Sequence, residues 1–235
     1  MTVHNNPLLL HIETATGVCS VALTAGPEVL AVCESDDGNS HSRNLLPYID
    51  RVCQEAGKSL QAIDGVAVSI GPGSYTGLRI GVSTAKGIAY SLGVGVIAVN
   101  TLQGIAAGAR SLNPDFHGLI APMIDARRME VFTARYDTDL NMVADVTATI
   151  VEESTFQELL EQQELLFCGN GMPKCKELLA RHNHARFDDF TLSARYMLPV
   201  ALKKWQDKDF ADTAYFEPFY LKEYVAAKPN VKGLR

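Results

Sequence analysis

The sequence predicts an α/β fold of two related lobes. Two observations support this prediction: strand patterns alternate with helix patterns along the chain, and the second half repeats features of the first. The chain has 235 residues, of which 47% are hydrophobic and 20% are charged, an ordinary composition for a globular protein. We expect a first lobe at residues 1–108 and a smaller second lobe, with a C-terminal tail, at residues 109–235.

The sequence predicts a β-hairpin near the start of the chain. Residues 8–13 form an apolar run that ends in Glu13 and predicts a buried strand, and residues 18–23 alternate as the return strand of a hairpin. Residues 41–57 then predict a helix, because their apolar side chains, Leu46 among them, fall on one side at about 3.6 residues per turn.

The same alternation continues through the rest of the first half. Residues 65–70 predict a strand, and a helix that ends near Leu92 follows a glycine-rich turn. Thr76 is the expected N-cap of this helix, since hydroxyl side chains favour that position. A further strand at residues 94–99 and a helix that begins at Thr101 complete the pattern.

The second half echoes the first. Residues 119–125 predict a strand that ends in Asp125, just as the first strand ends in Glu13. Residues 165–168 predict a later strand that enters a Gly-x-Gly turn, as residues 65–70 do. Because α/β proteins also repeat such units by chance, two unrelated halves are the alternative. Two related lobes are the arrangement of the actin-like ATPase (ribonuclease H-like) fold.

Charge, cysteine usage and hydropathy argue against a nucleic-acid-binding module, a secreted protein and a membrane protein. The formal net charge is −6, and the acidic excess is shared by the two halves, which argues against tight nucleic-acid binding by this chain alone. The number of cysteines, five, is odd and they include no CxxC pair, which fits unpaired thiols in a reducing compartment. The sequence shows neither a signal-peptide pattern nor an apolar run of about 20 residues. These features predict a cytoplasmic protein that does not insert into a membrane.

A glycine- and proline-rich stretch is the most distinctive motif of the chain. It lacks the Gly-Lys-Ser/Thr end of a Walker A loop and the Gly-x-Ser-x-Gly frame of a nucleophile elbow. Its composition instead indicates a tight structural turn between a strand and a helix. This glycine motif consists of Gly71, Pro72, Gly73, Ser74, Tyr75, Thr76 and Gly77.

The first hairpin turn resembles a phosphate-binding loop, because threonine hydroxyls and turn amides beside an acid can surround an anion. Threonine-rich hairpin turns are common, however, and we expect a vestigial nucleotide loop formed by Glu13, Thr14, Thr16 and Asp125. The histidines form neither an HxxxH nor an HExxH pair. We therefore expect no catalytic residue and no metal ligand.

The helix after the glycine motif has an unusual outer face. Leu78, Val82, Ala85 and Ala89 share one side and are expected to pack on the sheet. A helix whose other side meets only water normally carries charges there, but this one does not. A protein-binding face is our interpretation, and complete burial within the lobe is the alternative. The residues on this side are Ile80, Ser83, Thr84, Gly87 and Ser91.

The residues of six stretches closely resemble the TsaB family, also called YeaZ. The stretches occur in the family's order over nearly the whole chain, and the glycine motif is the most specific of them. This resemblance implies two actin-like lobes. The departures are Glu13, where the family usually has Asp, and Lys222, where Arg is usual. The matching stretches are residues 10–16, 41–47, 71–79, 123–128, 168–171 and 218–221.

The resemblance also implies a function and partners. TsaB-type proteins pair with TsaD, the subunit that transfers the threonylcarbamoyl group to the adenosine beside the anticodon of tRNA, and they act with the ATPase TsaE. Isolated members form homodimers through the same helices. In the family's fold the helix that begins at His41 lies beside the charge-free helix face, which adds His41, Tyr48 and Arg51 to the expected interface.

The implied activity is that of a non-catalytic subunit, because TsaD holds its metal with an HxxxH pair that this chain lacks. We expect no cofactor on the chain itself, with ATP or ADP at an interface of the complex as an alternative. Contact with tRNA is expected only through the complex. The competing functions are a metallopeptidase of the glycoprotease type and an actin-like ATPase.

Overall fold

The structure is a computed structural model, and it describes residues 6–36 and 41–222. The tail from Ala226, which we include in the second lobe, lies outside the described residues. The elements of the first half are β1 (Leu8–Glu13), β2 (Cys19–Ala25), β3 (Glu28–Ser35), α1 (His41–Glu55), β4 (Gly65–Ser69), α2 (Tyr75–Leu92), β5 (Gly95–Val99) and α3 (Thr101–Leu112).

The second half contains five more strands and three more helices, and a short 3₁₀ helix, Ala194–Met197, precedes the last of them. None of the helices in the described parts of the chain is long and apolar enough to cross a bilayer. The elements are β6 (Leu119–Asp125), β7 (Glu130–Tyr136), β8 (Met142–Ile150), α4 (Gln157–Gln162), β9 (Leu165–Cys168), α5 (Met172–Leu179), β10 (Ala185–Asp188) and α6 (Leu198–Gln206).

The two halves have the same topology. The first sheet has the strand order β3-β2-β1-β4-β5, and the second has the corresponding order β8-β7-β6-β9-β10. In each sheet the first strand pairs antiparallel with the next strand and parallel with the one after the first helix. The repetition that the sequence shows in its hairpins and Gly-x-Gly turns therefore extends to whole sheets.

Three strands, β3, β8 and β10, have no counterpart in the sequence prediction. β3 and β8 each lie at the edge of a sheet, and most of their side chains are not fully buried. β8 has no buried side chain and β3 has only two, Ala31 and Cys33, so neither shows the clear alternation of apolar and polar residues that indicates a half-buried strand. β10 has only four residues.

The boundary expected between residues 108 and 109 lies inside α3, so neither lobe is a contiguous half of the chain. Leu102 and Ile105 of α3 pack on the second sheet. In return, Met197 of the 3₁₀ helix and Trp205 of α6, which follow the second sheet in sequence, pack on the first sheet. Each sheet is thus covered on one face by a helix that follows the strands of the other sheet in sequence: α3 covers the second sheet and α6 covers the first.

The N-cap of α2 differs from the expected one. The helix begins at Tyr75, and the side chain of Ser74, not Thr76, accepts a hydrogen bond from the amide of Gly77 at 3.2 Å. Thr76 already lies within the first turn, where its backbone is helical, so it cannot occupy the cap. Gly93 ends the helix in the left-handed conformation, with φ of 69°.

Candidate functional site

The glycine motif covers the β1–β2 turn. The amide of Ser74 donates to the carbonyl of Ala15 at 2.7 Å, and the hydroxyl of Thr14 donates to the carbonyl of Gly77 at 2.8 Å. A Cβ atom at Gly73 would lie 2.4 Å from the Ala15 oxygen, and one at Gly77 would lie 2.1 Å from the Thr14 oxygen. The glycines are required because the turn backbone occupies the space of a side chain.

The start of the motif is anchored by more distant parts of the chain. Gly71 has φ of +116°, and a Cβ atom there would lie 2.3 Å from the carbonyl oxygen of Phe219. Its amide donates to the hydroxyl of Thr101 at 3.0 Å. Lys222 forms an ion pair with Glu130 through one carboxylate oxygen. The contacts of the motif are those of a structural joint between β4, α3 and the C-terminal segment.

Glu13 lies beneath this joint and is 1% exposed. Its Oε1 atom accepts hydrogen bonds from the Ala15 amide at 2.6 Å and from the Ser69 hydroxyl at 3.0 Å. Its Oε2 atom is buried and has no partner within the described chain. Burial raises the pKa of the Glu13 carboxyl to about 7, although these hydrogen bonds lower it.

A cleft of about 700 Å³ separates the hairpin turns of the two lobes, and Thr16, Asp125 and Asn170 line it. Asp125 binds Lys174 and accepts a hydrogen bond from the Arg127 amide at 2.9 Å. Burial raises the pKa of the Asp125 carboxyl, but the Lys174 hydrogen bond, the Arg127 amide and the charges of both residues outweigh it, and the net pKa is lowered.

The four residues of the expected nucleotide loop do not share one surface. Thr16 and Asp125 line the cleft, whereas Glu13 and Thr14 do not. Thr14 is fully buried and its hydroxyl is bound within the chain. The cleft therefore lacks two of the groups that the phosphate-binding hypothesis needs.

The outer face of α2 is open. Ser83, Gly87 and Ser91 are exposed, and Ile80 and Thr84 are half-buried. A Cβ atom at Gly87 would meet no atom within 4 Å. The alternative that α2 is buried on all sides within its lobe is thereby excluded.

A groove of about 500 Å³ runs between α1 and the outer face of α2, and Leu45, Leu46, Ile80 and Ser83 are among its lining residues. Leu46 is 59% exposed, which corrects its expected place among the buried residues of α1. Leu46 is adjacent in sequence to Leu45, which is buried, and the turn of about 100° between neighbours places it outside the buried stripe.

The interface residues expected on α1 differ in exposure. Tyr48 is half-buried, and Arg51 is exposed and paired with Glu55 at 2.8 Å. His41 is only 8% exposed, and its Nε2 atom is hydrogen-bonded to the carbonyl of Thr16 at 2.9 Å. His41 is therefore not a surface residue, because the first turn of α1 lies over the β1–β2 turn.

One prominent residue of the α2 face was missed in the sequence. Tyr90 is 85% exposed, more than most large hydrophobic side chains of a folded protein. It follows Gly87 by three residues, and helical spacing places it on the same side. The same helical spacing places Gly87 on the outer face of α2 from the sequence, and it could have placed Tyr90 there as well.

Comparisons with known proteins agree with this architecture. The model of the family TsaD, tRNA N6-adenosine threonylcarbamoyltransferase, matches residues 36–211. The tRNA threonylcarbamoyladenosine biosynthesis protein TsaB of Escherichia coli K12 is 33% identical over 226 residues, which are 94% of this chain and 96% of that protein. The chain belongs to the TsaB family. The resemblance seen in the sequence motifs is thus confirmed.

Solved structures confirm the fold of this TsaB-family chain. YeaZ from Pseudomonas aeruginosa superposes with a TM-score of 0.78 at 25% identity, over 92% of this chain and all of that one. Component A of (R)-2-hydroxyglutaryl-CoA dehydratase from Acidaminococcus fermentans superposes with a TM-score of 0.50 at 10% identity, over 88% of this chain and all of that one. The predicted actin-like α/β fold is confirmed.

Within residues 6–36 and 41–222, no three His, Cys, Asp or Glu side chains are grouped so that they could hold a metal ion. The cysteines in these segments are all buried and free.

Proposed function

We propose that the chain is a non-catalytic subunit in the formation of threonylcarbamoyladenosine in tRNA. In this role it binds a TsaD-type transferase and supports its modification of the adenosine beside the anticodon. The binding surface is the α1–α2 face, which consists of Leu46, Ile80, Ser83, Thr84, Gly87, Tyr90 and Ser91. The named TsaB relatives support the pathway, and the open α2 face is the single observation that supports a binding role.

The chemistry of the α1–α2 face suits a protein partner. Small side chains at Ser83 and Gly87 allow another helix to approach closely, and Leu46 and Tyr90 supply apolar area. Exposed tyrosine is enriched among the residues that dominate binding energy. A stable contact must bury about 1,000 Å² in total, and in this proposal two helices from each partner contribute that area.

A scaffold role is also consistent with the state of the ionisable groups. Glu13 is enclosed and Asp125 is engaged by Lys174, so neither acid is free to act as a base in the cleft. The competing ATPase function requires Glu13 and Thr14 to face a nucleotide, but both are covered by the glycine motif.

The remaining partners rest on family membership. We propose that the chain self-associates through the α1–α2 face when TsaD is absent, and that TsaE joins the complex with TsaD. The net charge of −6 favours contact with tRNA through the partner rather than through this chain alone.

The decisive experiment is a reconstitution with TsaD and the other pathway proteins. We expect the chain to co-purify with TsaD, modification of tRNA to require both, and the chain without TsaD to transfer nothing. Transfer by the chain without TsaD, or full activity of TsaD without the chain, contradicts the proposal.

A further inference from the structure

Another cavity opens beside the cleft, between the glycine motif, the β6–β7 turn and the C-terminal segment. Its volume is about 330 Å³, within the range of roughly 300–1,000 Å³ that small-molecule sites occupy. Among its described lining residues there is no acid, but there are four aromatic residues, Tyr75, Phe132, Phe219 and Tyr220, and two cations, Arg127 and Lys222. This lining suits a ligand that is both planar and anionic.

Tyr220 lies at the end of a stack of planar groups in this cavity. The guanidinium of Arg79 lies over the Tyr75 ring, 5.3 Å from its centroid, and the centroids of the Tyr75 and Tyr220 rings are 4.9 Å apart. Tyr220 is nevertheless 38% exposed, as is its neighbour Phe219. Part of the Tyr220 ring is therefore open, and an open aromatic face in a cavity is a surface on which a nucleobase can stack.

Arg127 is the cation of this cavity that forms no ion pair within the described residues. Lys222 is bound to Glu130, whereas only the backbone amide of Arg127 is engaged, by Asp125. Asp125 is itself neutralised by Lys174. An exposed guanidinium without a partner favours a phosphate group, which it can bind through two parallel N–H bonds.

The rest of the chain is poorly suited to fill this cavity. Residues 223–235, which follow Lys222, contain three cations, Lys228, Lys232 and Arg235, and one acid, Glu223. A cationic segment is repelled by the charges of Arg127 and Lys222, whereas an anionic ligand is attracted by them. The charge of the cavity therefore favours an external anion as its occupant.

We propose that this cavity binds one nucleotide, whose base stacks on Tyr220 and whose phosphate is bound by Arg127. The nucleotide is either free or an unstacked nucleotide of a single-stranded RNA, because both present the same base and phosphate. Neither Glu13 nor Thr14 lines the cavity, so it is separate from the nucleotide loop expected from the sequence. The site does not depend on pairing with TsaD, because all of its residues belong to this chain.

Adenosine 5′-monophosphate (AMP), added to the full chain and followed by NMR, tests the site. We expect saturable shifts of the amide signals of Ala126, Arg127 and Tyr220. Adenosine alone and inorganic phosphate alone should each bind more weakly than AMP, because each engages only one half of the site. Weaker binding of AMP than of either fragment overturns the proposal.

Variants of the two halves test the assignment of each contact. Tyr220→Ala should weaken AMP binding at least about fivefold, the loss expected for one base–aromatic stack, and Tyr220→Phe should retain it. Arg127→Gln should weaken it at least about tenfold and reduce its dependence on salt. Arg128→Gln is the matched control, since Arg128 is an exposed arginine of the same turn that does not line the cavity.

A short single-stranded RNA distinguishes the two sources of the nucleotide. RNA binding that is weakened by Tyr220→Ala and Arg127→Gln assigns the site to an RNA strand, and AMP binding without RNA binding assigns it to a free nucleotide. The proposal is overturned if neither probe gives saturable shifts, with AMP up to about 10 mM, or if either variant binds as the wild type does. Should Tyr220→Ala fail to fold, the comparison of Arg127→Gln with Arg128→Gln decides.

Discussion

The hydroxyl of Thr14 donates a hydrogen bond to the carbonyl oxygen of Gly77 at 2.8 Å. Because of this bond, the Thr14 hydroxyl binds the first turn of α2 and does not face the cleft between the lobes. The hairpin and the glycine motif therefore form one hydrogen-bonded structural unit at the start of α2.

Gly87→Arg should abolish pairing with TsaD and self-association while leaving the chain folded. The new side chain enters open space in the monomer, and arginine improves helix propensity over glycine by roughly 1 kcal/mol. In a close helix contact, an unpaired buried charge costs about 3–5 kcal/mol, enough to abolish micromolar pairing. Light scattering and pull-down measure the result.

Ser111→Arg is the matched control for that change, since Ser111 is an exposed small residue on α3, away from the α1–α2 face. It should bind TsaD as the wild type does. If Gly87→Arg also retains TsaD and remains dimeric, the binding surface lies elsewhere.

Tyr90→Ala should weaken TsaD binding by at least about tenfold with little effect on stability. A tyrosine that is 85% exposed contributes little to the core but much to an interface that buries it. Tyr215→Ala is the control, because Tyr215 is 86% exposed and lies outside the α1–α2 face. Equal affinity losses in both variants, measured by calorimetry, would falsify the assigned surface.

Gly77→Ala should destabilise the chain by about 1–3 kcal/mol, because its Cβ atom would lie 2.1 Å from the backbone oxygen of Thr14. Gly87→Ala, on the same helix, should instead stabilise by up to about 1 kcal/mol, since nothing lies near its Cβ atom. Urea unfolding of the pair measures both signs. Similar effects of the two changes would show that the motif does not press on the turn.

Glu13→Gln should change how stability depends on pH. Because the pKa of Glu13 is raised from 4.5 to about 7 by burial, its stabilising contribution is fully present below pH 4.5 and is lost as pH rises to about 7. Relative to the wild type, the free energy of unfolding of the variant should gain up to about 3 kcal/mol between these limits. Urea unfolding at both limits tests this, and an unchanged difference contradicts it.

The sequence predicted the features that follow from a regular spacing of apolar residues or from a turn motif. The strand that ends in Glu13 and the open side of α2 at Ser83 and Gly87 are found as expected. The edge strand β8 was not predicted because none of its side chains is buried, although it pairs with its sequence neighbour β7. The burial of His41 was not predicted because it depends on the distant β1–β2 turn that lies against it. Local patterns contain no information about such neighbours.

The same limit applies to the candidate site. Helical spacing identifies the side of α2 to which Gly87 belongs, but only the fold shows that Leu46 borders the same groove. Likewise, a threonine-rich turn after an acid indicates a phosphate loop until the glycine motif is seen to cover it. The covering segment is separated from Thr14 by more than fifty residues of chain, as its contact with Gly77 shows.

Each sheet packs against a helix that follows the other sheet in sequence, and this arrangement affects the cooperativity of unfolding. Trp205, which is 1% exposed, covers a layer of the first sheet that includes Leu9 and Ile97. A fragment that ends at residue 108 would leave that layer open to water and would also lack the second sheet on which α3 packs. We therefore expect the two lobes to unfold together as a single unit, and proteolysis between them to release no stable piece.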